Sequence, residues 1–237
     1  MPKKADIESM PQQAERLKCG TRIERIYDEL RDRICLLVYK PGTILKESDL
    51  AKEFNVSRTP MRQALQRLQF EQLVETKKAV GTVVTGYKFE ALKNAYQVRI
   101  EILDMVANLA KRTYSQVDID GMEKLLVRTA TLNRAKDVHE YWSICNKIHE
   151  VLSRIIDNQT LYDICNSLYY KTSRNWFHFV DELWDQNIKT LYSEIEEEIK
   201  PMKIGDTKGT LMVRRNYILI FLSHMEYYRI SNGTDFE

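Results

Sequence analysis

Proline and glycine are scarce in this 237-residue sequence, and where they are missing decides the most. Prolines stand at 2, 11, 41, 60 and 201, so none falls between Met61 and Lys200. Of eight glycines, only Gly121 lies between Tyr87 and Ile204. Over a hundred residues with so few breakers exclude a meander of short strands and predict a helical array. No apolar run approaches the ~20 residues a membrane-spanning helix needs. The opening Met-Pro-Lys-Lys-Ala-Asp has none of the apolar stretch of a secretory signal. A cytoplasmic protein without membrane contact is therefore expected. The cysteines at 19, 35, 145 and 165 have no C-x-x-C spacing, which argues against a disulfide framework or zinc knuckle and predicts small buried side chains. Neither sign of charge dominates: 36 Lys+Arg stand against 34 Asp+Glu, a net +2 without the usual basic footprint of nucleic-acid binding.

What is present is enough to fold. Apolar residues make up 43% of the chain and charged residues 30%, and the length suits one large domain or two modest ones. The first 20 residues are polar and aperiodic, and read as a flexible arm. From Arg22 to Tyr39 apolar residues recur at helical spacing (Ile23, Ile26, Tyr27, Leu30, Ile34, Leu37), until Pro41-Gly42. Ser48 to Phe54 predicts a short second helix and Arg58 to Gln72 a third. The period then becomes strand-like. Leu73 to Thr76 and Thr82 to Val84 flank a hairpin with Gly81 near its tip. Three helices and a hairpin in this order predict a winged helix-turn-helix over residues 21–86.

The segment Leu50 to Leu65 carries the most information. A helix gives way to a turn at Asn55-Val56 and then to a second helix with a strong start. Ser57 and Thr59 can cap orphan amides, and Pro60 suits the first turn. Such an N-terminus offers amides and a positive dipole end to a phosphate. Arg58 and Arg62 project from one face of the first turns, where an arginine can grip guanine bidentately.

The residues Leu45-x4-Leu50-Ala51-x4-Val56-Ser57-Arg58-Thr59-Pro60-Met61-Arg62-x-Ala64-Leu65-x2-Leu68 resemble the N-terminal domain of GntR-type bacterial transcription regulators. The resemblance spans roughly residues 22–86. It implies a DNA-binding winged helix whose wing glycine, Gly81, approaches the minor groove. The DNA-contacting set it points to is Lys46, Ser57, Arg58, Thr59, Arg62, Lys77, Lys78 and Gly81. Two positions depart from the family pattern. Glu47 is followed by Ser48 where the family often has arginine, so a contact is missing or is supplied by Lys46. The glycine that usually ends the recognition helix is Gln72, a change expected to cost little.

After Phe89 a mainly α domain of six or seven helices is predicted over residues 87–232, with 233–237 as a tail. Its apolar stripes run through Val98, Ile102, Met105, Val106, Leu109 and Ala110; through Met122, Leu125 and Leu126 in a helix of about 117–135; and through Trp142, Cys145, His149, Leu152 and Ile156 in one of about 137–157. A further helix is expected near 160–180. The last two stripes are Trp184, Ile188, Leu191, Ile195 and Ile199, and then Leu211, Tyr217, Phe221, His224 and Tyr228.

Arg99 in Tyr-x-Val-Arg, Ile148-His149 followed by Asp157-Asn158, and Ile204-Gly205-Asp206 make residues 88–230 similar to the FCD class of effector domains. That class implies a homodimer and a small-molecule effector, commonly a carboxylate. Many members also hold a divalent metal through an Asp four residues before a His and two later histidines. At those positions this chain has Cys145, His149, Ile195 and Tyr217, so His149 is the one family ligand retained. A pocket kept and a metal lost is the expectation, with no cofactor. The five residues expected to line the pocket are Arg99, Cys145, His149, Ile195 and Tyr217. Arg99 is the candidate for an anionic effector, because a guanidinium matches a carboxylate; its alternative is an ion pair with Glu101 or Asp104. Two further alternatives stay open: Cys145 and His149 as ligands of a different metal site completed by His178 or His224, or a metal- or thiol-dependent enzyme built on the same pair.

Read by segment, the charge changes meaning. Residues 21–86 carry 12 Lys+Arg against nine Asp+Glu, a net +3, and residues 87–237 carry −2. No acidic residue lies between Ser57 and Phe70. The near-neutral total hides a small basic face, and a regulator that binds operator DNA, rather than an enzyme, is the expected function.

Overall fold

The computed structural model describes residues 21–86, 89–132, 134, 136–173 and 183–232. The expected arm (1–20) and tail (233–237), Cys19 and His178 lie outside the described residues. The chain divides after Thr85 into two compact units.

The first unit runs α1 (Arg22–Cys35), β1 (Ile44–Leu45), α2 (Glu47–Glu53), α3 (Arg58–Phe70), β2 (Val74–Lys77) and β3 (Gly81–Val84). Thr21 and Glu24 close a reciprocal capping box at the start of α1. The three helices bury Ile26, Tyr27, Leu30, Ile34, Leu50, Met61, Leu65 and Leu68 in one core, which Leu73, Val74 and Val84 extend into the sheet. Strand order is β1-β3-β2, antiparallel, with Val74 opposite Val84 and Lys77 opposite Gly81. The two-residue β1, too short to show a period, pairs Ile44 with Val83.

All three helices stop on a left-handed residue that is not glycine: Leu37 (φ 58°), Asn55 (φ 49°) and Gln72 (φ 60°). At Asn55 and Gln72 the stop is a Schellman motif. Val56 N–H donates to Ala51 O at 2.9 Å and Asn55 N–H to Lys52 O at 3.2 Å; Leu73 N–H donates to Leu68 O at 2.9 Å and Gln72 N–H to Gln69 O at 3.0 Å. Two boundaries therefore differ from expectation. α1 ends at Cys35, before Pro41-Gly42 is reached, and α3 ends at Phe70 rather than Gln72. The replacement of glycine by Gln72 also has a structural cost that spacing did not show, because a Cβ is disfavoured at that φ. Gln72→Gly is expected to stabilise the first unit by about 0.5–1 kcal/mol, the relief of left-handed strain being partly offset by a looser unfolded chain. Urea unfolding reads this as a higher midpoint at constant slope.

Two polar clusters brace the helices. Tyr27 Oη donates to both carboxylate oxygens of buried Glu71, at 2.8 and 2.7 Å, with the Arg67 guanidinium 3.8 Å from the Tyr27 ring centroid. Arg33 reaches Glu29 (2.8 Å) on its own helix, Glu53 (2.5 Å) at the end of α2, and Tyr39 Oη (2.8 Å).

The second unit is helical among the described residues: α4 (Phe89–Leu109), α5 (Gln116–Thr131), α6 (Val138–Ser153), α7 (Gln159–Ser173), α8 (Trp184–Lys203) and α9 (Thr207–Asn232). α8 packs on both α9 and α5, and α4 on α9 and α7. α5 and α6 end four residues before the expected 135 and 157, and α7 is described only to Ser173. α8 runs through Pro201, which accepts from Asp206 N–H at 2.9 Å; the stop is Gly205 (φ 72°), and Asp206 then caps α9 through Gly209 N–H at 2.8 Å. Two stripes sit differently from expectation. On α4, Val98, Met105 and Leu109 are exposed, while Leu92, Tyr96, Ile100 and Val106 face inward. On α9 the buried line is Leu211, Ile218, Leu222 and Met225, and His224 is exposed. Apolar and polar residues are both spread around α9, so its inward face cannot be fixed from period alone.

Candidate functional site

Two places in the molecule concentrate unspent chemistry, one in each unit. In the first, α2, the Asn55 turn and α3 form a helix-turn-helix whose outer face bears Ser57, Arg58, Thr59, Arg62, Gln63 and Gln66, all exposed. Ser57 occupies the N-cap of α3 (φ −72°, ψ 166°), yet its side chain makes no capping hydrogen bond. The cap expected from sequence is therefore not made, and among the described residues the first amides of α3 receive no side-chain cap.

Arg58, Lys46 and Lys78 make no ion pair among the described residues, and each is exposed. Arg62 differs. Its Nε and Nη2 meet Glu47 Oε2 and Oε1 at 3.1 and 3.0 Å, a bidentate fork across α2 and α3, while the Arg62 side chain stays 62% exposed. Glu47 was not singled out as a site residue. The usable signal was its place at the start of α2, where a carboxylate favours the helix dipole and can reach across to α3. Lys77 pairs with Glu75 at 3.2 Å. The wing turn of Lys78, Ala79 and Val80 closes with Val80 N–H on Lys77 O at 3.1 Å, with Ala79 at φ 62° and Gly81 at φ 114°, a value glycine alone adopts readily.

In the second unit, two cavities adjoin within the helical bundle. The first has about 580 Å³ of space, part of it open to solvent, and is lined by Tyr96, Arg99, Tyr141, Cys145, Glu194, Arg214 and Tyr217 among others. The second has about 540 Å³ of space, likewise partly open to solvent, and is lined by Arg99, His149, Cys165, Tyr169 and Arg214 among others. Arg99 and Arg214 belong to both. Of the five residues expected at a ligand site, Arg99, Cys145, His149 and Tyr217 line these cavities. Ile195 does not; it is fully buried and lines neither cavity. Its neighbour Glu194 takes the cavity position, since one residue along a helix turns the side chain by about 100°.

The centre of the chamber is an ion cluster that sequence reasoning missed. Arg214 Nη1 meets Glu194 Oε1 at 2.7 Å, and its Nε and Nη2 meet Glu198 Oε1 and Oε2 at 2.8 and 3.1 Å. Burial raises the pKa of both carboxyls against the pull of Arg214, and Glu198, with Glu194 beside it, is pushed up to about 8. The expected partners of Arg99, Glu101 and Asp104, are not what it meets. Arg99 donates to Thr172 Oγ1 at 3.0 Å and lies 5.2 Å over the Tyr169 ring, and Glu101 instead faces Arg215 at 3.7 Å.

The metal that the fold class commonly holds does not fit these residues. Burial and the charge of Glu194 push the Cys145 thiol up to about 12, which makes it a poor nucleophile near neutrality. His149 stacks on Tyr169 with centroids 3.9 Å apart, and its Nε2 lies 3.1 Å from Asn166 Oδ1. Cys145 and His149 line different cavities, Ile195 has no donor atom, and His224 is exposed. Among the described residues no group of three His, Cys, Asp or Glu is placed to hold a metal. Among them, too, no helix is long and apolar enough to cross a membrane.

Residues 22–84 match the family of bacterial regulatory proteins designated gntR, and residues 94–197 match the FCD domain. The chain carries a gntR-type domain followed by an FCD domain. The gntR match ends with β3, and the FCD match stops one residue short of Glu198 and well before Arg214. Among similar proteins, the gluconate operon transcriptional repressor of Bacillus licheniformis is 31% identical over 144 residues, 61% of this chain and 59% of that one. The transcriptional repressor RspR of Escherichia coli is 26% identical over 145 residues, 61% of this chain and 64% of that one. This gntR-type chain thus spans about three fifths of the length of these curated relatives. In structure it resembles E. coli McbR/YncC, with TM-score 0.73 at 16% identity over 87% of this chain and 99% of that one. It also resembles a transcriptional regulator of Rhodococcus sp. RHA1, with TM-score 0.66 at 20% identity over 86% and 97%. Both likenesses concern the fold.

Proposed function

We propose that this gntR-type protein is a cytoplasmic, sequence-specific transcription regulator that binds operator DNA as a homodimer and answers to a small carboxylate in its helical unit. One observation carries the reading: α3 presents an exposed face free of acidic residues beside a wing that bears Lys77 and Lys78. An arginine-bearing helix suits the major groove and a narrow basic hairpin the adjoining minor groove. The assigned contacts are Lys46, Ser57, Arg58, Thr59, Arg62, Lys77, Lys78 and Gly81, with Glu47 steering the Arg62 fork. Repression is the favoured direction, because two relatives carry it in their names.

The homodimer has support in an exposed apolar face of the helical unit. Val98, Glu101 and Met105 share one side of α4, and Met212, Arg215 and Leu219 one side of α9. The Glu101–Arg215 ion pair joins the two sides. Apolar groups flanking an ion pair are suited to pairing with a second copy about a two-fold axis. The carboxylate has support in Arg99, a buried guanidinium that lines both cavities.

Selection of duplexes from a random pool, followed by titration of the winner, tests the proposal. A two-fold sequence bound by two chains is expected, with log affinity falling linearly against log salt. Binding that selects no sequence, or that ignores salt, overturns it.

A further inference from the structure

Helix α3 keeps two side-chain amides that the first unit does not use. Gln63 and Gln66 are exposed, and among the described residues neither makes a hydrogen bond. Most of the other long polar side chains of this helix are engaged. Thr76 Oγ1 on β2 donates to Gln69 Oε1 at 3.1 Å. Arg62 is held in the Glu47 fork, and Arg67 lies over the Tyr27 ring and 3.7 Å from Glu71.

Their place on the helix gives the two amides a direction. At about 100° per residue, the buried Met61, Ala64, Leu65 and Leu68 share one side of α3, and Thr59, Arg62, Gln63 and Gln66 share the opposite one. Arg58 and Arg67 fall about 90° to either flank of that outer line. The spacing i, i+3, i+4, i+7 is the one by which the third helix of a homeodomain turns its four base-reading positions into the major groove.

The amide then selects the base. It offers one acceptor and one NH2 donor side by side. In the major groove guanine shows two acceptors, cytosine a donor, and thymine an acceptor with a methyl group; adenine alone pairs a donor (N6) with an acceptor (N7). Gln63 and Gln66 stand about 4.5 Å apart along the helix axis, close to the ~3.4 Å step between base pairs.

We propose that Gln63 and Gln66 each read an adenine, on neighbouring base pairs of each operator half-site, beside the base taken by Arg62. This rests on the reading of the chain as an operator-binding regulator, and narrows it to a class of half-site. Being uncharged, the two glutamines add specificity and no general hold on phosphates.

Selection of duplexes from a random pool by the full chain, wild type and variants in parallel, tests the inference. Both side chains are exposed and unbonded, so each variant is expected to melt with wild type. Wild type is expected to select adenine at two neighbouring positions of each half-site. Glutamate accepts and cannot donate, so it suits cytosine N4. Gln63→Glu and Gln66→Glu should therefore each exchange one of the two adenines for cytosine and leave the other positions as they were. Gln63→Ala and Gln66→Ala should each lose about ten- to a hundredfold on the wild-type operator, with the affinity for scrambled duplex and the salt slope unchanged. An identical selected sequence in all five proteins, or equal losses on operator and scrambled duplex, overturns the proposal. If the added negative charge abolishes binding in the glutamate variants, the alanine variants decide. A wild-type chain that selects no sequence overturns the operator-binding reading itself, whereas one that selects a sequence its variants share overturns the glutamine assignment alone.

Discussion

Arg214→Met is expected to destabilise the helical unit by about 3–5 kcal/mol, the usual result of removing one side of a buried ion cluster. Methionine fills the space of the arginine stem, so lost packing contributes little and the effect isolates the charge. Glu194 and Glu198 would then be left without the guanidinium that both of them pair with. The loss has a direction in pH. In the wild-type fold burial, with Glu194 beside it on α8, holds Glu198 at about 8 against the pull of Arg214 on α9, and Glu198 in turn raises Tyr114 just before α5, whereas in the unfolded chain a glutamate titrates near 4.3. Between those values the folded state keeps a proton that the unfolded state has released. Stability from this group is therefore full below about pH 4 and is lost as pH rises through about 8. Urea melts of the full chain from pH 5 to 9 should show the decline, steeper in Arg214→Met and flatter in Glu198→Gln. A pH-independent melt in all three would mean the carboxyls are not held protonated.

Arg62→Ala is expected to weaken operator binding about ten- to a hundredfold, the range for loss of a bidentate base contact. Affinity for unrelated duplex should change far less. The folded structure adds a second expectation through Glu47, which grips Arg62 by both nitrogens in the absence of DNA. Glu47→Gln removes a negative charge from the face assigned to DNA and frees the fork. Binding to unrelated duplex should then rise while discrimination falls by about tenfold. Anisotropy titrations of wild type and both variants on the selected operator and on a scrambled duplex separate the two effects. Equal losses on both duplexes for Arg62→Ala would make that arginine a phosphate contact.

The helix-turn-helix was legible in the sequence because its constraints are local. A left-handed stop at Asn55, a serine N-cap and a proline in the first turn of α3 are all written within six residues. The ion cluster was not legible, since its members lie 16 and 20 residues apart on helices whose mutual facing no local pattern encodes. Glu194-Ile195-Glu196-Glu197-Glu198 also reads as a solvated acidic run, although two of its members face inward. One sign was available. Arg214 falls between Leu211 and Ile218 on the buried line of α9, and a cation inside an apolar stripe demands a buried counter-charge. Ile195, the residue at the family's ligand position, stands one place from Glu194, which on a helix is the difference between the core and the chamber.

The short strand β1 has a mechanical consequence. Gly42 N–H donates to Val84 O and Val84 N–H to Thr43 O, both at 2.9 Å, just before the chain enters α2. The hairpin is thus riveted to the segment that launches the helix-turn-helix, and the two work as the fixed jaws of a caliper. Such a gauge has one span. On the proposed reading, a signal that loosens the hold on DNA acts on the placement of the whole gauge and leaves its span unchanged.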